Sequence, residues 1–149
     1  MVGEKLRGHE GMDGNIRKYE EIGTHPAANH NAIAAALAFH RGIGAERKIA
    51  RLRYLRDRWA TRLRSESDRV KLLTQLDSPY TGGIGLLHIE GMDPGKLGAW
   101  LLDKHHIVTT PIVHAEFDGL RITPNVYTTV DEVDLFADRV LDAIRKGMA

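Results

Sequence analysis

The sequence predicts an α/β protein of the α+β kind, in which a helical hairpin precedes a small antiparallel sheet with helices on one face. Apolar residues recur at spacings of three and four through residues 26–64, the period of an amphipathic helix. Beyond residue 66, short β-prone runs alternate with two capped helical patterns, in the order ββαββα. The 149 residues suit one core, or slightly more than one. A division at residues 1–66 and 67–149 follows from the polar stretch Ser65 to Asp68.

Met1 to Asn15 is polar and glycine-rich without any period, so it reads as a loop. Pro26 suits a first helical turn, and Ala28, Ala32, Ala35, Ala36 and Phe39 then follow at helical spacing until Gly42 and Gly44. A second helix starts near Ala45, with Ile49, Leu52, Leu55, Trp59 and Leu63 on one stripe and arginines over its other faces. Val70 to Thr74 and Ile84 to Ile89 read as strands, separated by the turn-rich stretch Asp77 to Gly83. Asp93-Pro94 marks a helix start, and Leu97, Trp100 and Leu101 give that helix an apolar face. Ile107 to Thr109 and Ile112 to Ala115 read as extended, and Asp118-Gly119 as a hairpin turn into a strand Leu120 to Thr123. Thr129 and Glu132 form a capping box ahead of the stripe Val130, Val133, Phe136, Val140, Leu141 and Ile144.

With 42% hydrophobic and 28% charged residues, the composition is that of an ordinary globular chain, which excludes wholesale disorder and collagen. The longest apolar stretch, Ala32 to Phe39, is far too short for a membrane span, so no membrane partner is expected. Zero cysteines exclude disulfides, thiolate metal sites and thiol nucleophiles. Together with an N-terminus that has no apolar signal-peptide core, this leads to an expected cytoplasmic location. Residues 1–75 hold 15 Lys or Arg against 9 Asp or Glu, and residues 76–149 hold 6 against 11. The two halves therefore carry opposite charge.

Gly23-Thr24 ahead of the first predicted helix could hold a phosphate, because a helix start offers free N–H groups, a positive dipole end and here a hydroxyl. Thr24 serves equally as a plain helix cap. Arg121 falls between Leu120 and Ile122, so its guanidinium faces away from their apolar side, where it could clamp a carboxylate or simply face solvent. His105, His106 and His114 match no established metal spacing, and no metal is expected. The arginine-rich helix could bind nucleic acid. Its basic residues spread round the helix instead of along one stripe, and only Tyr54 and Trp59 interleave them, so no nucleic-acid partner is expected. Neither a Walker loop nor a Gly-x-Ser-x-Gly elbow occurs.

Several separated stretches together resemble a known family. These are Arg17-Lys18-Tyr19-Glu20-Glu21-Ile22-Gly23-Thr24, the alanine-rich run into Phe39-His40-Arg41-Gly42-Ile43-Gly44, and Gly119-Leu120-Arg121-Ile122-Thr123-Pro124-Asn125-Val126-Tyr127-Thr128-Thr129 with Glu132-Val133-Asp134. They are similar, over roughly residues 15–146, to the C-terminal portion of class V aminotransferase-like enzymes of pyridoxal-phosphate fold type I. The isopenicillin N epimerase-like branch is nearest, and the cysteine desulfurases are more distant.

The resemblance implies that Gly23 and Thr24 reach the cofactor phosphate of a neighbouring subunit in a homodimer, and that Arg121 binds the α-carboxylate of an amino-acid substrate. It also implies that residues 1–66 are a remnant of the large domain and that residues 67–149 are the small domain. The family's Schiff-base lysine follows a Ser/Thr and His run, and none of the seven lysines here has that context. No catalytic residue is therefore expected in this chain. It reads as the C-terminal segment of a longer enzyme that would supply pyridoxal phosphate's covalent site elsewhere. The alternative is a stand-alone binding or interaction module that keeps the small-domain fold without the chemistry.

Overall fold

The computed structural model describes residues 27–148. The chain divides into two compact units, with the division at Gly42. In the first, helix α1 spans Ala27–Ile43, and its Ile33, Leu37 and Phe39 are exposed.

The second unit contains α2 (Ala45–Glu66), β1 (Val70–Leu72), β2 (Gly85–Ile89), α3 (Pro94–His105), β3 (Thr110–Val113), β4 (Asp118–Ile122) and α4 (Val130–Lys146). The strands form one sheet in the order β1-β2-β4-β3, each neighbouring pair antiparallel. This agrees with the predicted small antiparallel sheet accompanied by helices. Leu87 of β2 lies opposite Leu120 of β4, and both point into the core. Arg121 lies opposite Leu86 on the other face, as alternation requires.

Glycines let helices approach the inner face of the sheet. A Cβ on Gly85 would lie 2.5 Å from the Trp59 ring of α2, and one on Gly98 of α3 would lie 2.8 Å from Pro111 of β3. Helix α2 thus packs on β1 and β2, and α3 on β3 and β4. The sequence pattern laid α4 on the sheet, but α4 packs mainly on α2. There Phe136 meets Trp59 edge to face at 5.8 Å between ring centroids, a favourable aromatic arrangement. Both predicted helix starts are present: Asp93 accepts from the Lys96 backbone N–H at 2.8 Å, and Thr129 with Glu132 forms the reciprocal capping box.

Two local expectations are corrected. Ile107 to Thr109 is not a strand: β3 begins at Thr110. His106, at φ 57°, ends α3 in the left-handed region, and the His106 and Ile107 N–H groups donate to Leu102 and Leu101 carbonyls in a Schellman-type stop. That stop turns the chain away before the apolar residues can pair. Asp118-Gly119 is not the hairpin turn either, because both residues belong to β4 and the chain reverses over residues 114–117, closed by His114 N–H donating to the Phe117 carbonyl. Gly119 is there for close approach, since a Cβ would lie 2.5 Å from the Leu87 carbonyl oxygen.

Candidate functional site

Arg121 is held on β4, which is flanked by hydrogen-bonded strands on both sides and is therefore a rigid base. Its side chain is exposed, and Nη2 donates to Thr110 Oγ1 of the neighbouring strand at 3.4 Å. Among the described residues no carboxylate forms an ion pair with it, so most of its five N–H donors remain available for a planar, doubly accepting anion. The same outer face carries His88, two residues along β2 from Leu86. His88 Nδ1 lies 2.5 Å from Asp118 Oδ1, which orients the imidazole.

Gly23 and Thr24, the expected phosphate contacts, lie outside the described residues. The three histidines considered as a cluster have separate surroundings. His105 packs edge-on against Trp100 at 4.5 Å, His106 forms the C-cap of α3, and His114 stacks on Phe117 at 4.8 Å. Among the described residues no group of three or more His, Asp or Glu could hold a metal ion. No helix there is long and apolar enough to cross a membrane.

The arginines of α2 are largely engaged within the fold. Arg58 makes two bonds to the Asp134 carboxylate at 2.6 and 2.7 Å, and Arg62 reaches Asp138 at 2.5 Å and Glu66 at 3.1 Å. The hydrogen bond from Arg58 holds the Asp134 carboxyl below the usual carboxylate range, and Arg62 with Arg145 does the same for Glu66. Arg51 caps the Thr128 carbonyl at 3.0 Å and Arg53 the Thr81 carbonyl at 2.9 Å.

Arg56 is fully buried. It donates to the Leu76 and Gly82 carbonyls at 2.7 and 2.6 Å, to Thr81 Oγ1 at 2.9 Å and to Asp57 Oδ1 at 2.8 Å. Sequence reasoning placed it with the other surface arginines. The signal that finds it is spacing: Arg56 lies four residues after Leu52 and three before Trp59, inside the apolar stripe.

The described residues do not make a complete pyridoxal-phosphate site. The cavity beside α2 and α4 is lined by neither lysine nor arginine, while Lys71 and Lys146 are paired to Glu90 and Asp142. On the outer face of β4 the Arg121 guanidinium keeps N–H donors that a carboxylate can accept.

No protein-family model matches the chain. Among curated proteins, a match is found to a Mycobacterium tuberculosis (strain CDC 1551 / Oshkosh) protein described as "Probable hercynylcysteine sulfoxide lyase", 34% identical over 117 residues. The chain spans only 29% of that relative's length, and the matched residues make up 74% of the chain, so what is similar to the lyase is most of this chain and less than a third of the lyase.

Proposed function

We propose that this chain is the C-terminal segment of a pyridoxal-phosphate-dependent enzyme of the class V aminotransferase-like family, nearest the isopenicillin N epimerase-like branch and acting on an amino-acid substrate. The observation that carries the reading is Arg121, an outward guanidinium on a rigid central strand whose described partner is a single threonine hydroxyl. The match to the lyase supports the pyridoxal-phosphate family without choosing a branch.

In this reading Arg121 grips the substrate α-carboxylate through two parallel N–H donors, and Thr110 steadies the fork from β3. Fixing the carboxylate fixes the substrate Cα relative to the reacting centre, which lowers the entropic part of the barrier. Gly23 and Thr24 contact the cofactor phosphate of the partner in a homodimer. Pyridoxal phosphate supplies the electron sink for chemistry at Cα. Its covalent lysine lies in the remainder of the enzyme.

The relative's name favours one narrower reading, a lyase acting on a sulfoxide derivative of cysteine. The test uses a complete enzyme that carries this segment. Arg121→Lys keeps the charge but loses the fork, and it is expected to raise the apparent KM for the amino-acid substrate. The lost charge-assisted bond corresponds to about 1.5–3 kcal/mol, or roughly ten- to a hundredfold in affinity. An unchanged KM, or a fall in Tm in proportion to the lost binding, would return Arg121 to an ordinary surface role.

A further inference from the structure

The outer face of the sheet carries a second polar group near Arg121. His88 follows Leu86, the cross-strand partner of Arg121, by two residues on β2, which makes it the diagonal neighbour of Arg121 on the same face. Diagonal positions lie roughly 7–8 Å apart, still within reach of long side chains. The guanidinium leans toward Thr110 of the edge strand β3, away from β2. Gly119 of β4 has no side chain to fill the space beside them, and Leu86 Cδ1 lies 3.3 Å from the place that a Cβ on Gly119 would take. Leu86 therefore forms an apolar floor between guanidinium and imidazole.

The Asp118 carboxylate decides what the imidazole offers. A carboxylate accepts, so the 2.5 Å contact places a hydrogen on Nδ1 and leaves Nε2 of the neutral ring with a bare lone pair. Among the described residues Nε2 has no hydrogen-bond partner, and it is not one of the buried unpartnered atoms. The side chain keeps 31% of its surface, so this lone pair is open to solvent.

Charge runs in one direction over this floor. Arg121 is a cation without a carboxylate partner among the described residues, whereas the His88 end carries Asp118. Lys71, directly across from His88 on β1, is paired to Glu90 at 3.5 Å and adds little to that end. One end thus favours an anion and the other a cation or a neutral donor, while Asp118 disfavours a second acid.

We propose that His88 selects the substrate side chain: Arg121 takes the carboxylate, Leu86 underlies the methylenes, and His88 Nε2 accepts from an N–H or O–H group about four atoms beyond Cα, to match the diagonal spacing. The substrate class is an amino acid whose side chain ends in an ammonium, amide or hydroxyl group, not in a second acid. This rests on the reading of Arg121 as the carboxylate clamp, and the experiment separates the two. The probes are δ-aminovalerate and valerate, titrated at about pH 8, above the ordinary imidazole range, into the ¹³C,¹⁵N-labelled 149-residue chain. Both are expected to move the side-chain resonances of Arg121. δ-Aminovalerate is expected to bind about two- to fivefold tighter, the range of an exposed charged contact, and to shift His88 Nε2, which valerate leaves in place. In Asp118→Asn the amide can donate to Nδ1, which moves the ring hydrogen to Nε2, and the affinity ratio of the two probes is expected to fall to about one. With Arg121 responding, equal affinities in the wild type, a silent His88 Nε2 or an unchanged ratio in Asp118→Asn would each overturn the role of His88 and leave that of Arg121 standing. An Arg121 that responds to neither probe would overturn both.

Discussion

Arg56 and Arg121 carry the same side chain into opposite surroundings. Arg56, itself fully buried, closes the 76–82 loop onto α2 by donating to two carbonyls and a hydroxyl of half-buried residues. Arg56→Met keeps much of the volume but strands those acceptors, and it is expected to destabilise the fold by about 2–4 kcal/mol in urea melts. A loss below about 1 kcal/mol would mean that water replaces the guanidinium without difficulty. Arg121→Ala, by contrast, should leave stability within about 0.5 kcal/mol, as exposed positions do. The direction of Arg121 was legible in the sequence because a strand alternates: Leu120 and Ile122 fix the face it leaves. Arg56 was not legible, because composition hid it among many arginines and only the three-and-four spacing reveals that it stands inside the stripe.

Among the elements, the capped helices were the most readable, because an Asp-Pro start and a Thr-x-x-Glu box are local signals that need no tertiary partner. The strand ends were harder. Asp118-Gly119 has the composition of a turn, yet its glycine answers to the Leu87 backbone of another strand, a contact that no local pattern encodes. Gly119→Ala must push β2 from β4 and is expected to cost about 1–3 kcal/mol, as overpacking does. Thermal melts check this, and a neutral effect would show that the two strands separate easily.

The pairing of α2 with α4 makes a second prediction at this scale. Asp134 and Glu66 have carboxyls held below their ordinary range by Arg58, and by Arg62 with Arg145. Their contribution is present above the unfolded carboxylate value and is lost as pH falls through the lower folded values. Stability should therefore decline as pH drops below about 4. Asp134→Asn should flatten part of that decline, with 1 M salt weakening the wild-type dependence. A decline identical in wild type and Asp134→Asn would assign the acid sensitivity to other groups.

At the scale of the whole molecule, the opposed charges of the two halves have a structural reason. The basic half contributes α2 and the acidic half contributes α4, and the two helices meet through Arg58–Asp134 and Arg62–Asp138. Arg56, Arg58 and Arg62 of this cationic helix are paired with carboxylates of its own chain.

The same scale governs cofactor chemistry. The lysines of α3, Lys96 and Lys104, are exposed, while Lys71 and Lys146 are ion-paired near the surface. A lysine that reacts selectively with an aldehyde sits in a pocket that shields and holds the adduct. All four of these side chains are exposed. Pyridoxal phosphate added to the 149-residue chain, reduced with borohydride and mapped by peptide mass, is therefore expected to label several lysines weakly and none dominantly. Stoichiometric label on one lysine, with a saturable visible absorbance, would show that this segment holds the covalent site itself and would overturn its reading as the substrate-gripping part of a longer enzyme.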